Sequence, residues 1–481
     1  MLLGLQPKIR GTILAHNIGE KRVGLSAIAS PACLNPAQPL VPVLALANKG
    51  AMMKRLVTSD ALGAEPSAAG RTVDTKHILS STQTTCCVVG AGPAGAILAL
   101  LLARQGVPVL LLEAHKDFDR DFRGNTINPA IMRVLDQLGL VEQLLQLPHA
   151  KIRSFTAYAA DGPLTFADFS QLPTTHPYVT MLPQSIFLEF ITAEAKRYPH
   201  FKLVMGARVE ALMEANGIVE GVHYRDDVGQ HEVRARLTIG ADGRFSRLRR
   251  LAEMEPVATA PAMDVLWFRL PRHSADDQET GAHFRFGCGS LVVLMDHIDH
   301  WQVGYIIRKG SYPEVRAAGL PALWAAVAKV CPELADRVEH VRDWKDIALL
   351  SVESSCLRRW FRPGLLLIGD AAHVMSPIGG VGINCAIQDA VVAANILAAP
   401  LREGRLRMRH LRMVQRQRAL PTRIVQAAQA FAQRWGVAEA LNSSEPFQVP
   451  TFLRIALKLP VIRTVPAWLI AFGVWPVYLR L

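Results

Sequence analysis

Three glycine-rich runs contain the residues whose types and spacing could hold a nucleotide cofactor. The first run reads G-A-G-P-A-G and begins at Gly90, between an apolar stretch and an Ala/Leu-rich stretch. Gly90 would make a tight turn, Gly92 would let the backbone approach a pyrophosphate, and Gly95 would let a helix pack closely on a strand. The N-terminus of that helix would offer unpaired N–H groups and a positive dipole end to the phosphates.

An acidic residue completes this fingerprint. Glu113 ends the next apolar stretch, where its carboxylate could accept hydrogen bonds from both hydroxyls of a ribose. The chain contains one such fingerprint, whereas a two-nucleotide reductase would need two. We therefore predict one tightly held dinucleotide.

The second run begins at Gly369 and follows the apolar stretch Leu365 to Ile368. Its glycines permit close approach of the backbone to a flat ring, and Asp370 suits a hydrogen bond to a polyol hydroxyl. A helix beginning near Gly382 would direct N–H groups at the part of a reduced flavin that carries negative charge. This run therefore favours a flavin.

The third run, G-A-D-G-R-F-S-R-L-R, includes Asp242 and ends at Arg249. In this order the three runs resemble the FAD-dependent aromatic hydroxylase superfamily (group A flavoprotein monooxygenases), and among its members the bacterial hydroxylases of ubiquinone biosynthesis. The second run matches the family pattern G-D-A-A-H-x-x-x-P-x-x-G-x-G-x-N at every position, and the third resembles its D-G-x-x-S-x-x-R segment. The resemblance covers about residues 85–400.

The resemblance implies non-covalent FAD, with NAD(P)H as a transient reductant and O₂ as co-substrate. It adds Arg123 near the FAD diphosphate and Gln184 at the flavin, although a surface salt bridge or a helix cap would also explain either residue. The candidate FAD-binding residues are Gly90, Gly92, Ala94, Gly95, Glu113, Arg123, Gln184, Asp242, Gly369, Asp370, Pro377, Gly380, Gly382, Ile383 and Asn384.

The elements that must position these residues form an α/β protein. A strand at Cys86 to Val89, a helix at about Ala94 to Gln105 and a strand at Val109 to Glu113 make a parallel strand–helix–strand unit. A further helix is predicted at about Ser185 to Arg197. Short strands without intervening helices, such as Asp264 to Leu270, predict an antiparallel sheet that covers the ligand.

We expect a Rossmann-like FAD-binding domain interleaved with a mostly antiparallel substrate domain, followed by a helical C-terminal region. Residues 1–84 are rich in Ala, Ser, Pro and Gly and are predicted to be a disordered extension or, since Met52 and Met53 offer later starts, the product of an upstream start site. The FAD-binding and monooxygenase region spans 85–400, with the substrate-covering sheet within about 150–235 and 261–348. Residues 401–481 are the C-terminal region.

The net charge of +12 is concentrated at the two ends of the chain. No nucleic-acid-binding signature accompanies it, so we expect no nucleic-acid partner. The Arg-rich segment 402–423 and the apolar stretch with Trp468 and Trp475 would suit peripheral contact with a membrane, and a solvated basic helix face is the alternative. The chain has seven cysteines and no C-x-x-C pair, which indicates a reducing compartment. We therefore expect a cytoplasmic protein, and peripheral contact with the membrane is an open alternative to a freely diffusing one.

The predicted activity is hydroxylation of an aromatic or quinone-like, lipophilic small molecule with NAD(P)H and O₂. No side chain stands out as a catalytic base: four candidates are as readily structural, namely Tyr305, Arg308, His176 and Tyr178. His373 belongs to the flavin run, where a structural role is favoured over proton donation. A flavin reductase of prenyl chains, a flavin halogenase and a non-enzymatic flavin-holding protein are the alternatives.

Overall fold

The computed structural model describes residues 78–119, 126–259, 261–273, 276 and 281–480. Arg123 and nearly all of the predicted N-terminal extension lie outside the described residues. The strand that carries the first glycine run begins at Ile78, so its first six residues precede position 84, where the predicted extension ends.

Twenty-one strands and twelve α-helices build the described part of the chain. The strands are β1 (Ile78–Val89), β2 (Val109–Leu112), β3 (Thr126–Ile127), β4 (Ala150–Ile152), β5 (Ser154–Ala159), β6 (Gly162–Asp168), β7 (Val179–Met181), β8 (Phe201–Val204), β9 (Arg208–Ala215), β10 (Ile218–Arg225), β11 (Gln230–Gly240), β12 (Pro256–Thr259), β13 (Met263–Pro271), β14 (Gly281–Gly287), β15 (Ser290–Asp296), β16 (His300–Arg308), β17 (Ala348–Leu350), β18 (Ser354–Leu357), β19 (Phe361–Arg362), β20 (Leu365–Leu367) and β21 (His373–Val374). The helices are α1 (Pro93–Arg104), α2 (Pro129–Gln137), α3 (Val141–Leu144), α4 (Gln184–Ala195), α5 (Arg247–Leu251), α6 (Tyr312–Ala318), α7 (Leu320–Val330), α8 (Gly382–Arg402), α9 (Met408–Ala432), α10 (Ala438–Asn442), α11 (Thr451–Lys458) and α12 (Pro460–Phe472).

The first sheet has a parallel core in the order β20-β11-β1-β2-β8. Its central strands are apolar on both faces: Cys86 to Val89 and all of β2 are buried, as expected for strands covered by helices on both sides. Helix α1 packs against α4 and α8. Because the carboxyl ends of β1, β2, β11 and β20 lie at one edge, the three glycine runs and Glu113 meet there.

The second sheet has seven strands in the order β17-β13-β16-β15-β14-β5-β6 and is antiparallel except for the parallel pair β14 and β5. This confirms a mostly antiparallel covering layer. The predicted boundaries were too wide, however, because residues 208–235 form β9, β10 and the first half of β11, which pair with the parallel sheet instead. Of the range 150–235, only β5 and β6 belong to the covering sheet.

The C-terminal region is helical, as expected. Helix α9 packs on α8 and continues into a π-helical turn at Gln433–Val437, and α11 and α12 pack on β6. The segment Ile378–Arg402 is long and apolar enough to cross a membrane, but 78% of its most apolar window is buried, as in the core helix of a folded domain. Helices α11 and α12 would pass the same test only together, and they are bent by 88° at the break between them.

Candidate functional site

One large cavity lies where the glycine runs meet the seven-stranded sheet. Its volume is about 1220 Å³. Eleven of the fifteen predicted FAD-binding residues line it: Gly90, Gly92, Ala94, Glu113, Gln184, Asp242, Asp370, Pro377, Gly380, Gly382 and Ile383. The structure therefore brings residues from positions 90 to 383 to one site.

The three glycines of the first run have different surroundings. Gly90 has φ +97°, and a Cβ there would lie 2.5 Å from Ala241 O; a Cβ at Gly95 would lie 1.9 Å from Gly90 O. A Cβ at Gly92 would meet no atom within 4 Å, so it would project into the cavity. Gly90 and Gly95 thus permit the close crossing of β1, α1 and the third run, whereas Gly92 leaves the cradle open.

The N-terminus of α1 fits a pyrophosphate. Gly92 is its N-cap, no side chain caps the helix, and its first turn has no acidic residue. Its first N–H groups have no partner within the helix, and neither a capping side chain nor a first-turn carboxylate competes for them, as anion binding at a helix N-terminus requires.

Glu113 stands beside this helix at the end of β2, with a buried side chain. Its Oε2 accepts from Ala91 N (2.8 Å) and its Oε1 from the backbone N of His115 (3.1 Å), with His115 Nδ1 2.8 Å away. A carboxylate has about four lone-pair sites. The side chain is therefore fixed in place at the cavity wall, beside the first glycine run.

Asp242 of the third run braces a turn. Its carboxylate accepts from Ser246 Oγ (2.6 Å) and Leu248 N (3.0 Å), and burial raises its pKa. Arg249 then joins this run to the second, because its guanidinium donates to Arg244 O (2.6 Å) and to Ala371 O (3.1 Å). The segment therefore holds two walls of the cavity together.

Three of the predicted residues lie behind the cavity wall. Gly95 and Gly369 do not line the cavity, and Asn384 is buried, donating from Nδ2 to Gly380 O (3.1 Å) and accepting at Oδ1 from Asn128 N (2.9 Å). Asn384 thus fixes the loop that carries Gly380.

A buried cluster of charged and ionisable groups supports the second run from behind. Asp389 accepts from Gly369 N (3.0 Å) and Arg418 Nε (2.7 Å), and its other contact is His373 Nε2 (2.6 Å). Burial by itself raises the pKa of Asp389, but His373 and Arg418 outweigh that effect and lower it. His373 does not line the cavity, in keeping with a structural role.

Sequence reasoning missed the part played by α9. Arg418 was grouped with the surface arginines of 402–423, yet it is almost completely buried. The amide Nε2 atoms of three glutamines on α9 and the turn that follows donate to the second run: Gln426 to Val374 O (2.9 Å), Gln429 to Ile378 O (2.8 Å) and Gln433 to Ser376 Oγ (2.7 Å). Their spacing of three and four residues on one helix face was the available signal.

The wall formed by the seven-stranded sheet is apolar apart from Gln302. Alternate residues of its strands face the cavity: Phe155, Ala157, Leu164, Phe166, Met263, Val265, Trp267, Ala282, Phe284, Phe286, Leu291, Val293, Met295, Gln302, Ile306 and Leu350. Gln302 Oε1 lies 3.1 Å from Nε2 of His297, whose pKa is lowered to about 4, chiefly by burial.

The four residues considered as catalytic bases do not line the cavity. Tyr305 packs against the hydrophobic cluster between the seven-stranded sheet and α7. Arg308 donates to Leu441 O (3.0 Å), and the His176 ring contacts the Tyr178 hydroxyl (3.2 Å). The side chains of this cavity can therefore bind and orient a ligand and exclude water.

The site has two parts: a dinucleotide-binding part at the end of the parallel sheet, and an apolar part under the seven-stranded sheet. The two parts are continuous, and together they define an FAD-binding oxidoreductase. Comparison with known proteins agrees. The family model described as "FAD binding domain" matches residues 83–428. The chain is 35% identical over 354 residues to 6-methylpretetramide 4-monooxygenase of Streptomyces rimosus, covering 73% of this chain and 84% of that protein.

Two further comparisons point the same way. Ubiquinone hydroxylase UbiL of Rhodospirillum rubrum is 26% identical over 358 residues, covering 73% of this chain and 80% of that protein. The structure of p-nitrophenol 4-monooxygenase PnpA from Pseudomonas putida has the same fold, with a TM-score of 0.66 at 20% identity over 81% of this chain and 97% of that one. The chain belongs to the FAD binding domain family, within the superfamily of FAD-dependent aromatic hydroxylases.

The protein is thus an FAD-dependent monooxygenase. FAD held here would supply the redox chemistry of the family, with NAD(P)H as reductant and O₂ as the source of the oxygen atom that is transferred. The groups placed to hold and orient the cofactor are the α1 N-terminus, Glu113 and the second run, and the covering sheet would shield the site from water. Contact of each predicted residue with FAD remains a prediction.

Proposed function

We propose that the enzyme hydroxylates a large, flat, lipophilic aromatic or quinone-like molecule, with FAD held at the eleven predicted residues that line the cavity. The observation that supports this is the continuity of the cofactor cradle with an apolar chamber in one cavity of about 1220 Å³. Typical small-molecule sites measure roughly 300–1000 Å³, so this volume suits a dinucleotide together with a second molecule.

The lining of the chamber supports the substrate class. Eleven of its side chains on the sheet wall are aromatic or long aliphatic groups that offer dispersion contacts to a flat ring: Phe155, Leu164, Phe166, Met263, Trp267, Phe284, Phe286, Leu291, Met295, Ile306 and Leu350. A charged substrate would lose its hydration there without compensation. The names of two relatives, 6-methylpretetramide 4-monooxygenase and ubiquinone hydroxylase UbiL, are in keeping with this substrate class.

The experiment is NAD(P)H oxidation by the FAD-loaded enzyme, with and without polycyclic phenols and quinols. We expect these compounds to accelerate NAD(P)H oxidation and the product to carry one ¹⁸O atom from ¹⁸O₂. Acceleration without ¹⁸O incorporation would exclude hydroxylation of the compound tested. Comparison of NADH with NADPH in the same assay identifies the reductant.

The halogenase alternative has less support. Flavin halogenases use a lysine in the site, and none of the described residues that line the cavity is a lysine. The run from Trp301 to Tyr305 partly resembles a halogenase segment, but Trp301 packs in the layer against α7 and does not line the cavity. Incorporation of bromide into product in the same assay would support the halogenase, and a prenyl-chain reductase would turn over without O₂.

We also propose that the C-terminal region touches an anionic membrane surface. Residues 446–481 contain four Arg or Lys and no Asp or Glu. Leu457 is buried and packs as core, but most apolar residues around it are exposed: Phe452, Ile455, Leu459, Val461, Ile462, Val465 and Trp468. Arg454 is paired with Asp161 (2.7 Å), and the exposed apolar groups next to the other cations suit a lipid interface, where each such cation contributes about 1 kcal/mol.

Cosedimentation with vesicles tests this contact. Full-length protein should bind vesicles of phosphatidylcholine with phosphatidylglycerol, and added salt should weaken the binding. Replacing Ile455, Leu459 and Val461 by Ser should reduce binding, whereas Ile218→Ser, an exposed apolar site on β10, should not. Failure of the full-length protein to bind in a salt-sensitive manner would remove the membrane contact and leave the expected cytoplasmic location alone.

A further inference from the structure

Exposed residues that line the cavity fall into two groups on different elements. The first group adjoins the cofactor runs and includes charged or ionisable side chains, among them His115, Arg208, Arg250 and Glu353. The second group comes entirely from the C-terminal region and is apolar: Phe431, Trp435, Pro450, Phe452 and Leu453. The cavity therefore has an apolar rim that is chemically unlike its cofactor side.

Three aromatic rings dominate this apolar rim. The rings of Phe431 and Trp435 lie 6.1 Å apart between centroids with an interplanar angle of 34°. Phe452, at the start of α11, is 75% exposed and Trp435 is 71% exposed, although both line the cavity. Large aromatic side chains left in water at the edge of a deep apolar cavity indicate a binding surface.

The π-helical turn explains why the aromatic rim is fixed. A π turn inserts an extra residue into a helix and changes the direction of the side chains that follow. Within this turn Gln433 is buried and donates to Ser376 Oγ (2.7 Å), while Trp435 and Gly436 line the cavity. Ser376 also lines the cavity, in the loop of the second glycine run. The rim is therefore anchored to the wall beside the cofactor.

We propose that these rings form an outer binding site for a flat apolar ring and the mouth through which the aromatic substrate enters. This rests on the proposed function for the identity of the ligand, but it concerns binding and entry, not the reaction. Phe431, Trp435 and Phe452 stack on the incoming ring, which then passes along Leu453 and Leu457 to the sheet wall. Each aromatic contact should change the affinity by about 2- to 12-fold.

The test measures binding of 9-phenanthrol, a three-ring phenol, and of phenol to the oxidised FAD-loaded full-length enzyme. Equilibrium dialysis gives Kd and stopped-flow fluorescence gives the association rate. Trp435→Ala and Phe452→Ala should each raise the Kd for 9-phenanthrol by about 2- to 12-fold and slow its association, with phenol little affected. The matched control is Trp475→Ala, since Trp475 is 49% exposed but does not line the cavity.

Flavin absorbance of each variant should equal that of the wild type, because the changed side chains lie outside the cofactor runs. Unchanged Kd and association rate in both rim variants would overturn the proposal, as would an equal loss in the Trp475 variant or failure of the wild type to bind 9-phenanthrol. If the wild type binds 9-phenanthrol through the rim but does not hydroxylate it, the mouth stands and the proposed reaction fails for that compound.

Discussion

Removal of the Arg418 guanidinium should destabilise the protein far more than removal of a neighbouring arginine. The side chains of Arg418 and Asp389 are 2% and 0% exposed, so Arg418→Met leaves a buried carboxylate whose remaining partners are Gly369 N and His373. Breaking a buried ion pair by deleting one partner costs about 3–5 kcal/mol. With a urea m-value of about 3 kcal/mol/M, this corresponds to a midpoint lowered by roughly 1–1.7 M.

Arg416→Met provides the matched control, because Arg416 lies two positions earlier on α9 and is exposed. Its free energy of unfolding should stay within about 0.5 kcal/mol of wild type, which corresponds to a midpoint shift of less than about 0.2 M urea. In the double variant Asp389→Asn with Arg418→Met, part of the loss should be recovered, since no unpaired charge remains buried. If Arg418→Met and Arg416→Met have the same midpoint, the reasoning about the buried pair is wrong.

The pair also predicts a pH dependence. The folded-state pKa of Asp389 is lowered, so between the folded and unfolded pKa values the unfolded chain binds more protons. Its contribution to stability is therefore present above the ordinary Asp range and is lost as pH falls through the folded pKa. In Arg418→Met that pKa should rise, and acid unfolding should begin at a higher pH than in wild type.

Three further outcomes concern the cofactor cradle. Gly92→Val should fold normally but lose FAD, because the new side chain would project into the open cavity. Gly95→Val should fail to fold, because its Cβ would clash with Gly90 O. Circular dichroism measures folding and flavin absorbance measures FAD content, so together they distinguish the two variants. Glu113→Gln should weaken FAD binding measurably in an apoprotein titration, and normal affinity would contradict a ribose contact. Wild-type protein should be yellow and release its FAD on denaturation; flavin retained by the precipitated chain would contradict non-covalent binding.

The local pattern determined the cofactor and the class of fold. Backbone geometry requires glycine at positions 90 and 95, glycine at 92 leaves the space for a pyrophosphate open, and the apolar stretches around them are short and continuous. Such features depend on residues close in sequence, so the helix predicted at 185–197 is found at 184–195 and the strand predicted at 109–113 at 109–112. The family resemblance then added the reaction.

Pairing between distant strands was decided only by the tertiary structure. Residues 208–235 have the same alternation as the covering sheet, but β11 joins the parallel sheet because it pairs with β1 and β20. An alternation of apolar and polar residues shows that a strand has one buried face, but it does not specify which sheet the strand joins. For the same reason the tyrosine at 305 reads as a site residue in sequence and faces the opposite layer in the structure.

The role of the C-terminal region also required the tertiary structure. Its arginines and glutamines are polar residues on a helix, and composition alone places all of them in solvent. Burial of Arg418 is favourable only because Asp389, twenty-nine positions earlier, supplies the opposite charge, and the three glutamines are held because the second run presents unpaired acceptors there. Such complementarity arises when α9 docks on α8 and the second run; the spacing of the glutamines marks one face of the helix but does not specify which partner that face meets.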